Sequence, residues 1–286
     1  MHVPVMLGEC LEYLAIRPDG VYLDATAGLG GHTGAIAQRL TSGLVIANDR
    51  DAESLELARR NTAQWAERIR YRHGSFGDLG AALREFGIQR VDGLLADLGV
   101  SRYQLTEPER GFSWMAEGTL DMRMDRSQGT TAAELVNFTG ERELADLIFR
   151  FGEERRSRRI ARAILRARPI HTTGHLARVI EEAVPRTGKL HPATQTFMAL
   201  RRVVNEEEAE LDSFLSIAPD LVKSGGRIVT LSFMSLEDRK VKQSFQALAR
   251  AGRVTILTKH VVRPTEEETR NNPPSRSAVL RAVELR

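Results

Sequence analysis

Asp24-Ala-Thr-Ala-Gly28-Leu-Gly30-Gly31-His32-Thr-Gly34 constrains the fold more than any other stretch of this chain. The apolar run Gly20-Val-Tyr-Leu23 leads into it, and the alanine-rich helical pattern Ala35-Ile-Ala-Gln-Arg-Leu40 follows. A strand, a glycine turn and a helix in that order form the opening of a parallel α/β sheet. There the turn presents backbone N–H groups to a nucleotide-like ligand at a helix N-terminus. Gly30 and Gly31 are expected to let that ligand approach the main chain closely. The spacing is Asp-x-Thr-x-Gly-x-Gly, without the last glycine that a dinucleotide fingerprint uses for close helix–strand packing.

The next segments repeat the alternation. Strands are expected over 21–24, 44–47, 69–73 and 91–96, ending at Asp24, Asn48-Asp49, His73 and Asp97. Helices are expected over 33–40, 52–60 and 79–86. This predicts parallel βαβ units with right-handed crossovers. From 102 to about 200 the pattern changes to loops and helices without a convincing strand. It resumes at Lys223-Ser-Gly-Gly-Arg-Ile-Val-Thr-Leu-Ser-Phe233, a glycine turn feeding a fifth strand. Two β-rich pieces, 253–262 and 277–284, flank a polar loop containing Asn271-Asn-Pro-Pro274 and are expected to pair antiparallel. The expectation is an α/β, Rossmann-like sheet built from 1–105 and 205–286, with a mainly helical domain, 106–204, inserted after strand 4.

Composition narrows the class. With 42% hydrophobic and 28% charged residues the chain reads as an ordinary globular protein. No apolar run approaches the roughly 20 residues of a membrane span. The start, Met1-His-Val-Pro-Val-Met-Leu-Gly-Glu, does not read as a signal peptide. The single cysteine, Cys10, shares a helix face with Leu7, Leu11 and Leu14 and reads as packing, which fits a cytoplasmic protein. His171 and His175 have helical spacing, but no cysteine cluster or Glu-x-x pattern accompanies them, so no metal is expected.

Net charge is only +3, yet residues 150–168 carry eight arginines against two glutamates. On a helix, Arg155, Arg159, Arg162 and Arg166 form one stripe, with Ile160 and Ile164 on the other side. Such a stripe is either a solvated face or a track for phosphates, whose oxygens match the planar guanidinium fork.

Ligands of open α/β sheets gather at the carboxyl ends of the strands. Asp49, ending strand 2, is placed to accept ribose hydroxyls. Phe76, after strand 3, is placed to pack on an adenine ring or to join the core. Asp97, ending strand 4, lies where a reacting group would sit. In order at successive strand ends, these residues and the glycine turn point to a nucleoside-bearing cofactor.

The turn resembles the Asp/Glu-x-Gly-x-Gly loop of S-adenosylmethionine-dependent methyltransferases. Further on come Asp97-Leu-Gly-Val-Ser101, Glu109-Arg-Gly-Phe-Ser113, Leu120-Asp-Met-Arg-Met-Asp125, Gly152-Glu-Glu-Arg155, His191-Pro-Ala-Thr194 and Ser235-Leu-Glu-Asp-Arg239. With the opening His2-Val-Pro-Val-Met-Leu7 and the closing Asn272-Pro-Pro-Ser-Arg-Ser-Ala-Val-Leu280, this series resembles the bacterial small-subunit ribosomal RNA methyltransferase H family, also called MraW. The resemblance covers essentially the whole chain. It implies S-adenosylmethionine-dependent N4-methylation of one cytidine in the decoding region, with ribosomal RNA or the small subunit as partner. It also implies cofactor contacts at Gly30, Gly31, His32, Asp49, Phe76, Asp97 and Gln104. Of these, His32 and Gln104 come from the family alone.

Asp97 is the candidate catalytic residue, orienting the cofactor and accepting a hydrogen bond from the cytosine amine. Many exocyclic-amine methyltransferases carry Asp/Asn-Pro-Pro-aromatic at this strand end; here Leu98-Gly99-Val100 follows Asp97. Phe112 and Trp114 are candidates either to stack on the target base or to pin the insert. Three departures from the family pattern fall on the presumed RNA side. Ser101-Arg-Tyr-Gln-Leu-Thr106 replaces Ser-Ser-Pro-Gln-Leu-Asp, His191-Pro-Ala-Thr-Gln-Thr-Phe-Met198 replaces His-Pro-Ala-Thr-Arg-Thr-Phe-Gln, and Ser232-Phe-Met-Ser235 replaces Ser-Phe-His-Ser. Two rival readings are a non-catalytic RNA-binding assembly factor on this fold and an NAD-dependent oxidoreductase.

Overall fold

A computed structural model describes residues 4–186, 188 and 190–286. His2 and Val3 of the opening motif therefore lie outside the described residues. The chain divides into two compact units, Met1–Gly99 with Glu210–Arg286, and Val100–Ala209.

The first unit opens with α1 (Leu7–Leu14), β1 (Val21–Asp24), α2 (Gly31–Arg39), β2 (Leu44–Asp49), α3 (Ala52–Asn61), β3 (Ile69–His73), α4 (Leu79–Glu85) and β4 (Val91–Asp97). In β4 the first six residues are all buried, the run expected of a parallel strand covered on both faces. Side chains alternate between the two cores. Tyr22, Val45, Ala47 and Leu231 pack with Cys10, Leu14 and Ile36 on one face of the sheet. Leu23, Ile46 and Ile228 pack with Leu83, Phe214 and Phe245 on the other.

The second unit holds α5 (Arg102–Thr106), α6 (Ala132–Phe138), α7 (Glu141–Gly152), α8 (Ser157–Ala167), α9 (Thr173–Ala183) and α10 (Ala193–Val204). No strand occurs in it among the described residues, only an isolated bridge between Thr119 and Thr172. The pairs Leu144/Ile148, Ile160/Ile164 and Leu176/Ile180 carry the helical spacing and meet in one core with Phe197 and Leu200. The Leu120–Asp125 motif is a loop fastened from outside. Buried Arg110 donates to the Arg123 and Met124 carbonyls, while the Asn205 amide donates to the Met122 carbonyl and accepts from the Met124 N–H. Gly152 in α7 faces the Gln195 carbonyl of α10, 2.3 Å from where a Cβ would stand, so only glycine permits that approach.

The chain then returns through α11 (Glu207–Leu221), β5 (Val222–Ser232), α12 (Ser235–Arg250), β6 (Val254–Ile256), α13 (Glu266–Asn271) and β7 (Val279–Leu285). The seven strands lie in the order β3-β2-β1-β4-β5-β7-β6. The first five are parallel, and β7 runs antiparallel to both β5 and β6. The closing antiparallel pair is present as expected, although β6 stops at Ile256. This is the Rossmann-like α/β sheet that the strand alternation anticipates. Among the described residues no helix is long and apolar enough to cross a membrane.

Candidate active site

The glycine turn leaves β1 and enters α2 at the carboxyl edge of the sheet. Asp24, fully buried, accepts from the Thr33 hydroxyl at 2.6 Å and from the Thr26 N–H at 3.1 Å, binding the turn to the first turn of α2. The Thr26 hydroxyl in turn accepts from the Asp97 N–H at 2.7 Å, joining the ends of β1 and β4. Gly28 and Gly30 sit at φ 51° and 84°, the left-handed region that glycine adopts without strain. The Gly28 N–H donates to Asp49 Oδ2 at 2.7 Å, and the Asp51 N–H donates to Oδ1 at 2.8 Å. Asp49 is thus oriented from both sides while each oxygen keeps acceptor capacity for a hydroxyl.

The glycine requirement at 30 and 31 has a cause within the protein. A Cβ on Gly30 would lie 2.9 Å from Thr62 Cγ2 and 3.2 Å from the Ala58 Cα, where α3 and its end press against the turn. A Cβ on Gly31 would lie 2.5 Å from Pro4 Cγ. Gly30→Ala should therefore combine left-handed strain with overpacking and cost about 2–4 kcal/mol. Denaturant unfolding checks this; an unchanged midpoint would show that α3 yields at no cost.

Three carboxyls share this edge, and burial pushes each of them up to about 6. For Asp24 and Asp49 the N–H and hydroxyl donors described above oppose the desolvation. For Asp97 the opposing group is His32, while Asp24 and Glu237 push it further up. Desolvated acids gathered at one edge suit a positively charged ligand. His32 is itself buried, with Nε2 3.0 Å from the Val5 carbonyl and Nδ1 3.8 Å from Asp97 Oδ2.

Phe76 follows β3 in a single 3-10 turn. Its N–H donates to Glu210, and its half-buried ring leans on Phe214 at 5.2 Å between centroids. The structure thus brings the glycine turn, His32, Asp49 and Asp97 into one hydrogen-bonded and charged cluster. Gln104 belongs to the second unit. There it is buried as the third helical residue of α5, exchanging hydrogen bonds with Ser101 in a capping box. Sequence patterns missed Asp24 as a third buried acid, and missed Thr26 and Val5 altogether. A Thr two residues after the strand-end Asp is the one signal that would have found Thr26.

In the second unit, Phe112 is buried, with the Arg110 guanidinium 5.8 Å from its ring centre, so it presents no face to a base. This corrects the stacking expectation for that residue. Trp114 is half-exposed and stacks on His191, centroids 3.6 Å apart. Ile160 and Ile164 are fully buried in α8, and Arg159, Arg162 and Arg166 are exposed on it. Arg155 precedes the helix, and Arg162 is paired with Glu141 at 3.2 Å. Among the described residues, Arg155, Arg158, Arg159 and Arg166 carry no ion pair. No group of three His, Cys, Asp or Glu suited to a metal occurs among the described residues.

Comparison with known proteins finds relatives along the whole chain. A sequence profile of the MraW methylase family matches residues 1–286. The ribosomal RNA small subunit methyltransferase H of Solibacter usitatus is 65% identical over 286 residues, covering 100% of both chains. The protein of the same name from Koribacter versatilis is 50% identical, over 99% of this chain and 93% of its own. That from Nostoc punctiforme is 47% identical, over 99% of this chain and 93% of its own.

Proposed function

As a member of the MraW methylase family, the chain is an S-adenosylmethionine-dependent methyltransferase, and we propose that it methylates the N4 amine of one cytidine in small-subunit ribosomal RNA. The observation that carries this reading is the set of three desolvated carboxyls around the glycine turn. Their chemistry fits the cofactor: Asp49 offers acceptors to a ribose diol, Phe76 a ring face to adenine, and Asp97 a negative charge to a sulfonium. Gly30, Gly31, His32 and Gln104 complete the proposed contacts. When bound, S-adenosylmethionine supplies a methyl group activated by positive sulfur.

The protein's share of the work is alignment and hydrogen bonding. The cytosine amine is a weak nucleophile because its lone pair is delocalised into the ring. A carboxylate accepting one of its N–H bonds favours the pyramidal form whose lone pair is free. Asp97, whose backbone N–H donates to the Thr26 hydroxyl at the end of β4, is the residue we propose for this. Alignment of nucleophile and methyl carbon supplies much of the remaining rate. The target base is reached in an unstacked, single-stranded or flipped conformation. The second unit, with the unpaired arginines of α8, would hold the RNA backbone, and the cytoplasm is the expected place of work.

Labelled methyl transfer to small subunits lacking the modification, followed by nucleoside analysis, tests the proposal. N4-methylcytidine at one position is expected; label in any other nucleoside, or none, would overturn it. Running free ribosomal RNA beside assembled subunits identifies the substrate form.

The acids also make cofactor affinity depend on pH. Protonation below about 6 removes negative charge from the site. Affinity for S-adenosylmethionine should therefore fall by about tenfold between pH 8 and pH 5, a change of roughly 1.4 kcal/mol. S-adenosylhomocysteine, whose sulfur is neutral, should change much less. Calorimetric titrations of both ligands across this range check the sign, and parallel curves would exclude a charge contact with sulfur.

A further inference from the structure

Asp97 ends β4 beside a histidine whose other nitrogen is already committed. A carbonyl oxygen only accepts, so the 3.0 Å contact from His32 Nε2 to the Val5 carbonyl requires Nε2 to carry the proton. In the neutral ring that leaves Nδ1 as a bare acceptor, and it is Nδ1 that faces Asp97 Oδ2 at 3.8 Å. The distance exceeds a hydrogen bond but lies within ion-pair reach. The strap that fixes this tautomer is itself secured: Pro4 packs on Gly31, and the Met6 N–H donates to Glu268 at 2.6 Å.

We propose that His32 is a positioning residue for methyl transfer, which takes up, through the Asp97 carboxylate, the proton the cytosine amine loses. The inference rests on the methyl-transfer reading given above. The balance is closed. The amine nitrogen forms a bond to the methyl carbon as the carbon–sulfur bond breaks, and that bond's electron pair stays on sulfur. The nitrogen, now positive, gives one proton to an Asp97 oxygen. Asp97 passes a proton to Nδ1 of His32, which restores the carboxylate beside an imidazolium. The imidazolium then returns its proton to solvent between turnovers.

The surroundings favour a cationic partner at this point. Asp24 from β1 and Glu237 from α12 both act on Asp97 by charge repulsion, and His32 from α2 is the group that opposes them. Cys10 from α1 adds no positive charge, since burial first and Asp97 second push its thiol well above its ordinary range. An imidazolium formed at His32 is thus favoured by this local excess of negative charge, which draws the proton onward from Asp97.

Two measurements separate this role from a purely structural one. In the ligand-free protein with nitrogen-15 histidine, the His32 signal is identified by its loss in His32→Gln. It should show the Nε2–H tautomer at high pH, and its Nδ1 chemical shift should move in Asp97→Asn. An Nδ1–H tautomer, or an Nδ1 shift unmoved by Asp97→Asn, would overturn the proposal without any RNA in the tube. In single-turnover methylation, His32→Gln keeps an N–H donor for the Val5 carbonyl but cannot take a proton. Its rate should fall about tenfold at pH 8, where a neutral ring can accept, and by much less in acid, where an imidazolium could not. An equal loss at every pH would mean that His32 only supports the fold. If the wild-type protein makes no N4-methylcytidine, the methylation reading fails, whereas the nitrogen-15 spectra still decide whether the two side chains are coupled.

Discussion

Asp97→Asn is expected to abolish most methyl transfer while making the ligand-free protein more stable. The carboxyl lies at about 6 in the folded protein, against an ordinary value of 3.8. Between those values the folded state binds more protons than the unfolded chain, so stability falls as pH rises through that window. Above about pH 6 the full cost of holding the charge is present; below about pH 4 it is absent. A shift of this size corresponds to about 3 kcal/mol as an upper bound. Because the side chain is 26% exposed, about 1–3 kcal/mol is the reasonable range.

The neutral amide removes that cost. Calorimetric melting at pH 8 should show Asp97→Asn several degrees above wild type, and the gap should close near pH 4. Turnover should drop by about 10²–10⁴-fold, because an amide neither accepts the proton nor carries the charge. Near-normal turnover with normal cofactor affinity would remove Asp97 from the acceptor role. A lower melting temperature at pH 8 would mean that the hydrogen bonds of the strand end outweigh its desolvation.

Neutralising Arg159 and Arg166 together is expected to weaken RNA binding and flatten its dependence on salt. Both are exposed on α8, and neither is engaged by an acid among the described residues. Each phosphate contact contributes roughly 0.7–0.9 to the slope of log affinity against log salt. The double alanine variant should therefore lose about 1.4–1.8 from that slope. At low salt this corresponds to a loss of ten- to a hundredfold in affinity. Arg162, tied to Glu141, serves as the comparison: its replacement should change the slope less. An unaltered slope in the double variant would return α8 to the role of a solvated face. Because Ile160 and Ile164 hold the inner side of the helix, the substitutions leave its packing intact.

The elements legible in the sequence share one physical basis. Parallel strands buried on both faces must be continuous apolar runs, and surface helices must repeat their apolar residues every three or four positions. Both are local patterns, so β1 to β5, the closing antiparallel pair and the helical insert could be read directly. The glycine turn and the acids ending β2 and β4 were legible because strand ends in such sheets collect the ligand groups. His32 and Gln104 carried no such pattern and rested on resemblance alone.

Tertiary structure decided what depends on residues far apart in the chain. It placed Ala58 and Thr62 against Gly30, and Pro4 against Gly31, so that glycine is required there for packing within the protein. It buried Phe112 beneath Arg110, which no apolar period announces. It set the Val5 carbonyl on one side of His32 and Asp97 on the other, giving each ring nitrogen a different task. Above all it gathered three acids into a desolvated edge, a property of their mutual distance and burial rather than of any one residue's type. Local pattern determines which elements form, because hydrogen bonding and apolar spacing act over a few residues. The protonation of Asp97 and the tautomer of His32 arise only once the folded chain has removed their water.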